Sequence, residues 1–194
     1  MSRVCLTGAV AHSIELLPDD ETDARIRAQW RALVDADLPS AATIRSSTNR
    51  PHVTLVAAGR ISASADTAIL PVAQRLPIRA RLGAPIVFGG GSHHTLARLV
   101  VPSSDLLSIH AQVARLAGPA MVDDAGAPTL FAHSAPGCWT PHITLARRLS
   151  GEQVAAALAV LATVDSREPA IVFDAVRRWD SDAKSEHVLP GRAC

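Results

Sequence analysis

Two short stretches hold the residues best able to do chemistry. Pro51-His52-Val53-Thr54-Leu55-Val56-Ala57 in the first half is answered by Pro141-His142-Ile143-Thr144-Leu145-Ala146-Arg147 in the second. Each copy sets one β-branched residue between a histidine and a threonine, with proline before and leucine after. Such neighbours favour a strand. Side chains alternate along a strand, so His52 and Thr54 share one face, as do His142 and Thr144. Val53, Leu55, Ile143 and Leu145 then turn to the core. If the strands lie close together, two imidazoles and two hydroxyls converge on one groove. That set suits in-line displacement at phosphorus. One imidazole takes a proton from the attacking oxygen and the other returns one to the leaving oxygen. The hydroxyls hold the non-bridging oxygens as negative charge builds on them. The scheme calls for no metal and no cofactor.

The elements around these stretches must bring them together. A first strand is expected over 10–17, then a helix capped by Asp19 or Asp20 with acidic residues in its first turn and Ile26, Trp30, Leu33 and Val34 as its apolar stripe. Pro39 and Ser40 break it, and the first motif strand ends at Gly59. Ile69, Val72, Ala73 and Leu76 mark a second helix, shortened or kinked by Pro71. Ile78 to Phe88 alternates as a strand, Gly89–Gly91 turns, and Leu96 to Val101 returns. A third helix starts at Ser103 or Ser104, carries Leu106, His110, Val113 and Leu116, and stops at Gly118-Pro119. Residues 121–137 form a long connection to the second motif. Ser150 and Gln153 make a capping box for a fourth helix with Val154, Leu158 and Leu161 buried. A strand over 171–179, a turn over 180–184 and a short strand over 187–189 finish the chain.

This order predicts an α+β fold with a weak internal duplication. We expect one domain over residues 1–194. It would comprise two pseudo-symmetric lobes, each an antiparallel or mixed sheet with flanking helices, facing a central cleft that holds the motifs at 52–54 and 142–144.

Bulk properties narrow the function. The formal net charge is +1, which argues against a protein that binds nucleic acid by blanket phosphate neutralisation. A terminal phosphate needs only a few local cations, and arginine, which supplies all but one of the basic residues, suits it. Cys5, Cys138 and Cys194 have no metal-ligand spacing and read as free thiols in a reducing cytoplasm. No signal peptide or membrane-spanning run is expected.

With these residues in view, Pro-His-Val-Thr-Leu and Pro-His-Ile-Thr-Leu-Ala-Arg resemble the paired signatures of the 2H phosphoesterase superfamily. They are most similar to its 2'-5' RNA ligase-like branch, the RNA 2',3'-cyclic phosphodiesterases. The likeness runs from about residue 10 to residue 190. It implies a bilobal fold and metal-independent hydrolysis of a 2',3'-cyclic phosphate end to a 2'-phosphate. His52 and His142 match the catalytic histidines, Thr54 and Thr144 the phosphate-binding threonines, and Arg147 the arginine that often follows the second motif. By strict alternation Arg147 faces away from His142, so its role requires a bulge or the strand's end. The first motif has Ala57 at that offset, and the chain has no tyrosine on which a base could stack. The substrate expected is an RNA end or cyclic nucleotide, met by a monomer with no obligatory protein partner and no membrane.

Other features carry less. His93-His94 beside the glycines lack a carboxylate or cysteine at metal spacing and suit a solvated turn. Gly89–Gly91 lacks the Gly-Lys-Ser/Thr of a phosphate loop. His12 has a minority claim on the cleft, His133-Ser134 reads as loop, and Trp139 reads as a core wedge. Lys184, the sole lysine, sits in a turn, which excludes a covalent nucleotidyl-lysine ligase. Two alternatives stay open: a non-catalytic binder of terminal phosphates, and an esterase or transferase that uses this fold on another small substrate.

Overall fold

The computed structural model describes residues 11–89, 91–123, 125–164 and 169–192. The expectations for Cys5, Val10, Gly90 and Cys194 lie outside them; Cys138 is a free, exposed thiol. Strand β1 (His12–Pro18) leads into α1 (Asp20–Asp35), then β2 (Val53–Ala58), β3 (Arg60–Ile61), α2 (Ser64–Ala68), α3 (Leu70–Ala73) and β4 (Ile78–Phe88). The second half runs β5 (His94–Val100), α4 (Ser104–Ala117), β6 (Met121–Val122), β7 (His142–Leu149), α5 (Gly151–Val164), β8 (Ala170–Asp180) and β9 (Ser185–Pro190).

The helix starts follow the capping chemistry. The Asp19 side chain accepts from Thr22 N–H at 2.9 Å, and Ser103 caps α4 through Leu106 N–H at 3.2 Å. Ser150 and Gln153 bond reciprocally ahead of α5, at 2.9 and 3.2 Å. Pro71 splits the second helical region into α2 and α3. Two stripes are narrower than periodicity suggests. Val34 and Leu158 are exposed, each one position beyond the residues that face the core, Leu33 and Ala157. The long connection holds more order than expected. Within it β6 pairs with β3, and a 3-10 turn spans Ala132–Ser134. Strands of two residues have too few positions to show a period.

Every strand pairing found is antiparallel. The main sheet runs β2-β1-β8-β4-β5-β7, with β9 added alongside β8. This order is a palindrome. Exchanging β1 with β5, β2 with β7 and β8 with β4 maps the sheet onto itself, and each half has the sequence strand, helix, motif strand, helix, strand. The halves join where Ile78–Arg81 of β4 pairs with Ala170–Phe173 of β8. Beyond Leu82, β4 passes Pro85 at an irregularity in the ladder and pairs with β5.

The halves interlock. Helix α1 of the first half packs on β7 of the second, and α4 of the second packs on β2 of the first. One hydrophobic cluster takes in Ile14, Leu16, Ile26, Leu33, Val53 and Leu55 together with Leu106, Ile109, Ile143 and Leu145.

The motif strands β2 and β7 form opposite ends of the sheet. An end strand leaves carbonyls off the ladder. Two indoles satisfy one such carbonyl on each strand, and they do so crosswise. Trp30 Nε1–H of α1 donates to the Thr144 carbonyl at 3.0 Å, and Trp139 Nε1–H donates to the Thr54 carbonyl at 2.8 Å. Trp139 also stacks on the buried His110 ring, centroids 4.0 Å apart, and is the wedge expected of it. Trp30→Phe keeps an aromatic body but leaves the Thr144 carbonyl unpaired. Urea unfolding should show a loss of about 1–3 kcal/mol, and an unchanged midpoint would mean that the carbonyl is satisfied some other way.

Candidate active site

Val53 and Leu55 are buried, as are Ile143 and Leu145, whereas His52, Thr54, His142 and Thr144 are half-buried. Alternation therefore turns the four polar side chains away from the core, as the motif spacing predicts. In both copies the imidazole Nδ1 lies 2.7 Å from the carbonyl two residues back: Arg50 for His52, Thr140 for His142. A carbonyl only accepts, so Nδ1 carries the hydrogen and Nε2 is the nitrogen left for other chemistry.

The two strands also share a bulge. Glu15 pairs with Thr54 and Ile14 with Val56, so Leu55 is skipped; Ala97 pairs with Thr144 and Leu96 with Ala146, so Leu145 is skipped. An extra residue reverses the parity of everything after it. Leu145 and Ala146 are accordingly both buried, and Arg147 is returned to the side of His142 and Thr144. A pocket beside the motif strands confirms that placement. It is lined by Arg50, His52, Thr144 and Arg147, with Trp30 and Ile44 as apolar wall; His142 and Thr54 do not line it. Ala57 holds the corresponding position after the first bulge. There the backbone is covered by the 3-10 turn, with Ser134 Oγ accepting from Ala57 N–H at 3.1 Å and Phe131 N–H donating to the Ala57 carbonyl at 2.9 Å.

The charges around the two histidines differ. Burial pushes His142 below the ordinary imidazole range, and the nearby His52, Arg147 and His133 charges push the same way against the Thr140 carbonyl. Phe88 tilts over the His142 ring with centroids 4.5 Å apart. Beside His52 stands a residue that motif reasoning passed over. Glu15 Oε1 lies 3.6 Å from His52 Nε2, and the carboxylate is buried. Burial by itself raises the Glu15 carboxyl, but the His52 and Arg177 charges and hydrogen bonds from Ser13 and Arg177 outweigh it and hold it below the usual range. Ser13 Oγ donates to it at 2.5 Å and Arg177 Nε at 2.6 Å. The signal available in the sequence was one glutamate inside the apolar run Ile14-Glu15-Leu16-Leu17, since a glutamate is seldom buried without a partner. His133, exposed on its turn, is the second residue the sequence did not single out for the site.

The remaining candidates fall elsewhere. His12 is on the opposite face of β1 from Glu15, with Nε2 3.2 Å from Asp182 Oδ2 and 3.7 Å from Asp180 Oδ1. These three are the sole group with metal-ligand spacing among the described residues. His93 is exposed in the β4–β5 turn and His94 opens β5. Lys184 sits in the β8–β9 turn with Nζ 5.7 Å from the Trp179 ring centroid. No helix among the described residues is long and apolar enough to cross a membrane.

Comparison with known proteins identifies the family and the fold. The family model of the 2'-5' RNA ligase superfamily matches residues 18–182. The chain therefore belongs to that superfamily, the 2H phosphoesterases, and membership supports activity on phosphodiesters. Among solved structures, E. coli LigT complexed with 3'-AMP is 15% identical with a TM-score of 0.51, over 93% of this chain and 94% of that one. A structure described as a phosphoesterase is 14% identical with a TM-score of 0.51, over 94% and 95%. Both likenesses are of fold. No curated protein matches the chain.

The His142 environment can be tested directly. Imidazole NMR should place its midpoint below the ordinary value of about 6.5, and Arg147→Ala should raise it by removing one of the depressing charges. An unmoved midpoint would put the Arg147 guanidinium out of reach of the ring.

Proposed function

We propose that the protein is a metal-independent phosphodiesterase that hydrolyses 2',3'-cyclic phosphate ends of RNA or nucleotides to 2'-phosphates. The observation that carries this reading is the duplicated imidazole geometry. Two Nδ1–H groups are tied to backbone carbonyls, which leaves two Nε2 atoms for chemistry, each on the same strand face as a threonine, on strands that touch. A binder of terminal phosphates has no use for two histidines so held, whereas a displacement needs one acid and one base.

In this scheme water attacks phosphorus from the His142 side. His142 Nε2, kept unprotonated by burial and by neighbouring cations, takes the proton of the water. His52 Nε2 gives a proton to O3' as the P–O3' bond breaks. Thr54, Thr144 and Arg147 hold the non-bridging oxygens. With a 5'-hydroxyl in place of the water, the same displacement would break P–O3' of the cyclic phosphate and leave a 2'-5' phosphodiester, with no ATP consumed. Phosphorus NMR of the products from a 2',3'-cyclic nucleotide tests the assignment. The 2'-phosphate is expected, and a 3'-phosphate would reverse the orientation of the substrate.

His52→Ala and His142→Ala should each lower kcat by roughly two to four orders of magnitude. The double variant should cost little more than either alone, because the two act in one step. Near-normal turnover by His142→Ala would remove the paired mechanism.

The profile of kcat/KM against pH should be bell-shaped, and EDTA should leave it unchanged. His142 works as the neutral base, so activity is lost as pH falls through its depressed value. The acidic limb should therefore lie below about pH 6.5. Inhibition by the chelator, reversed by zinc or manganese, would contradict the scheme.

A further inference from the structure

The palindromic sheet sets up a comparison between the two histidines that the motifs alone do not. Glu15 is the residue opposite Thr54, and Ala97 is the residue opposite Thr144. Under the symmetry Ala97 is thus the counterpart of Glu15. The same holds one strand further in, where Glu15 pairs with Arg177 and Ala97 pairs with Ile86. The β2-β1-β8 end of the sheet holds a buried ion pair where the β4-β5-β7 end holds alanine and isoleucine. Across the cleft the bias is reversed, since Arg147 follows the second motif and Ala57 the first. An anion stands by one imidazole and a cation by the other.

We propose that Glu15 is a positioning residue that supplies the counter-charge for the imidazolium form of His52 and so makes His52, rather than His142, the acid of the pair. This rests on the phosphodiesterase reading above and deepens it. Burying a carboxylate is costly without partners, and here the structure provides several. Arg177 binds Glu15 through Nε, while its Nη1 reaches Glu186 and, at 2.8 Å, the Thr48 carbonyl. Glu186 in turn holds Arg50 at 2.7 Å, and the Arg50 carbonyl is the acceptor for His52 Nδ1. An alternating chain, Glu15, Arg177, Glu186, Arg50, therefore flanks His52: the Arg50 carbonyl at one end accepts from Nδ1, and the Glu15 carboxylate at the other stands 3.6 Å from Nε2. The charged groups that face His52 are Glu15 from β1, Arg50 and Glu186 from the preceding segment and β9, and His142 and Arg147 from β7. Glu15 is the carboxylate 3.6 Å from its Nε2.

Chemically, the water proton ends on His142, the P–O3' bond breaks, and O3' leaves with the His52 proton, so His52 finishes neutral and Glu15 loses its cation. A leaving atom that departs readily as an anion does not need that proton. The test compares the 2',3'-cyclic nucleotide with its analogue carrying sulfur in place of the leaving oxygen, O3' in the scheme above. Glu15→Gln should lower kcat on the oxygen substrate roughly 10- to 100-fold, at or below the weaker end of general acid catalysis. Its loss on the sulfur analogue should be at least several-fold smaller, and Glu15→Asp should restore part of the difference. Should Glu15→Gln fail to fold because Arg177 loses a counter-charge, the double variant Glu15→Gln/Arg177→Gln carries the same comparison. Equal losses on both substrates, or no loss on either, would overturn the role of Glu15 while leaving the phosphodiesterase reading intact. A wild-type protein that hydrolyses neither would overturn both.

Discussion

Everything about the cleft depends on two indole hydrogen bonds that cross between the halves. Trp30 belongs to the first half and holds the Thr144 carbonyl of the second motif; Trp139 belongs to the second half and holds the Thr54 carbonyl of the first. Each bond fixes the backbone at a threonine two residues from a histidine, next to the bulged leucine. Were either strand to slip by a residue, its whole face would exchange core for cleft. The indoles, with α1 packed on β7 and α4 on β2, tie each motif strand to the half it did not come from. Positional accuracy at the site is therefore a property of both halves together.

Within that symmetric frame, chemistry needs inequality. Two equivalent histidines could each be acid or base, and half of the possible protonation states would be useless. The protein departs from its own symmetry at a few positions, Glu15 against Ala97, Arg177 against Ile86, and Arg147 against Ala57. The Glu15 carboxylate stands by His52, with Arg177 holding it in place, and the Arg147 guanidinium acts on His142. The substitutions that distinguish the halves lie beside the histidines, on β1, β8 and β7, while the His-x-Thr spacing is identical in both.

How much of this was legible in the sequence follows from the kind of signal each feature leaves. The strands, the caps at Asp19, Ser103 and Ser150, and the break at Pro71 are local effects, and they fall where local chemistry puts them. The paired motifs were legible because a repeat of five residue types is a strong pattern. The need for a bulge to bring Arg147 inward was also legible, as a mismatch between parity and role. Glu15 was not, because its partner Arg177 lies on the last long strand and nothing short of the sheet register joins them. Val34 and Leu158 are exposed although their spacing predicts burial. Periodicity places them beside the buried stripe, and only the position of the neighbouring helix and sheet decides where the stripe ends.

The placement of the motif strands at the two ends of the sheet has a consequence for solubility as well. An open sheet normally pays for its unpaired edges with a risk of joining to other chains. Here β2 and β7 come into contact with each other across the cleft, both interrupted by a bulge, and an indole occupies a carbonyl on each. The remaining free strand, β9, spans Ser185–Pro190 and ends in a residue that cannot donate to a ladder. The surface that would be most prone to aggregation is the one that forms the cleft, so guarding the edges and building the site are met by the same arrangement of backbone.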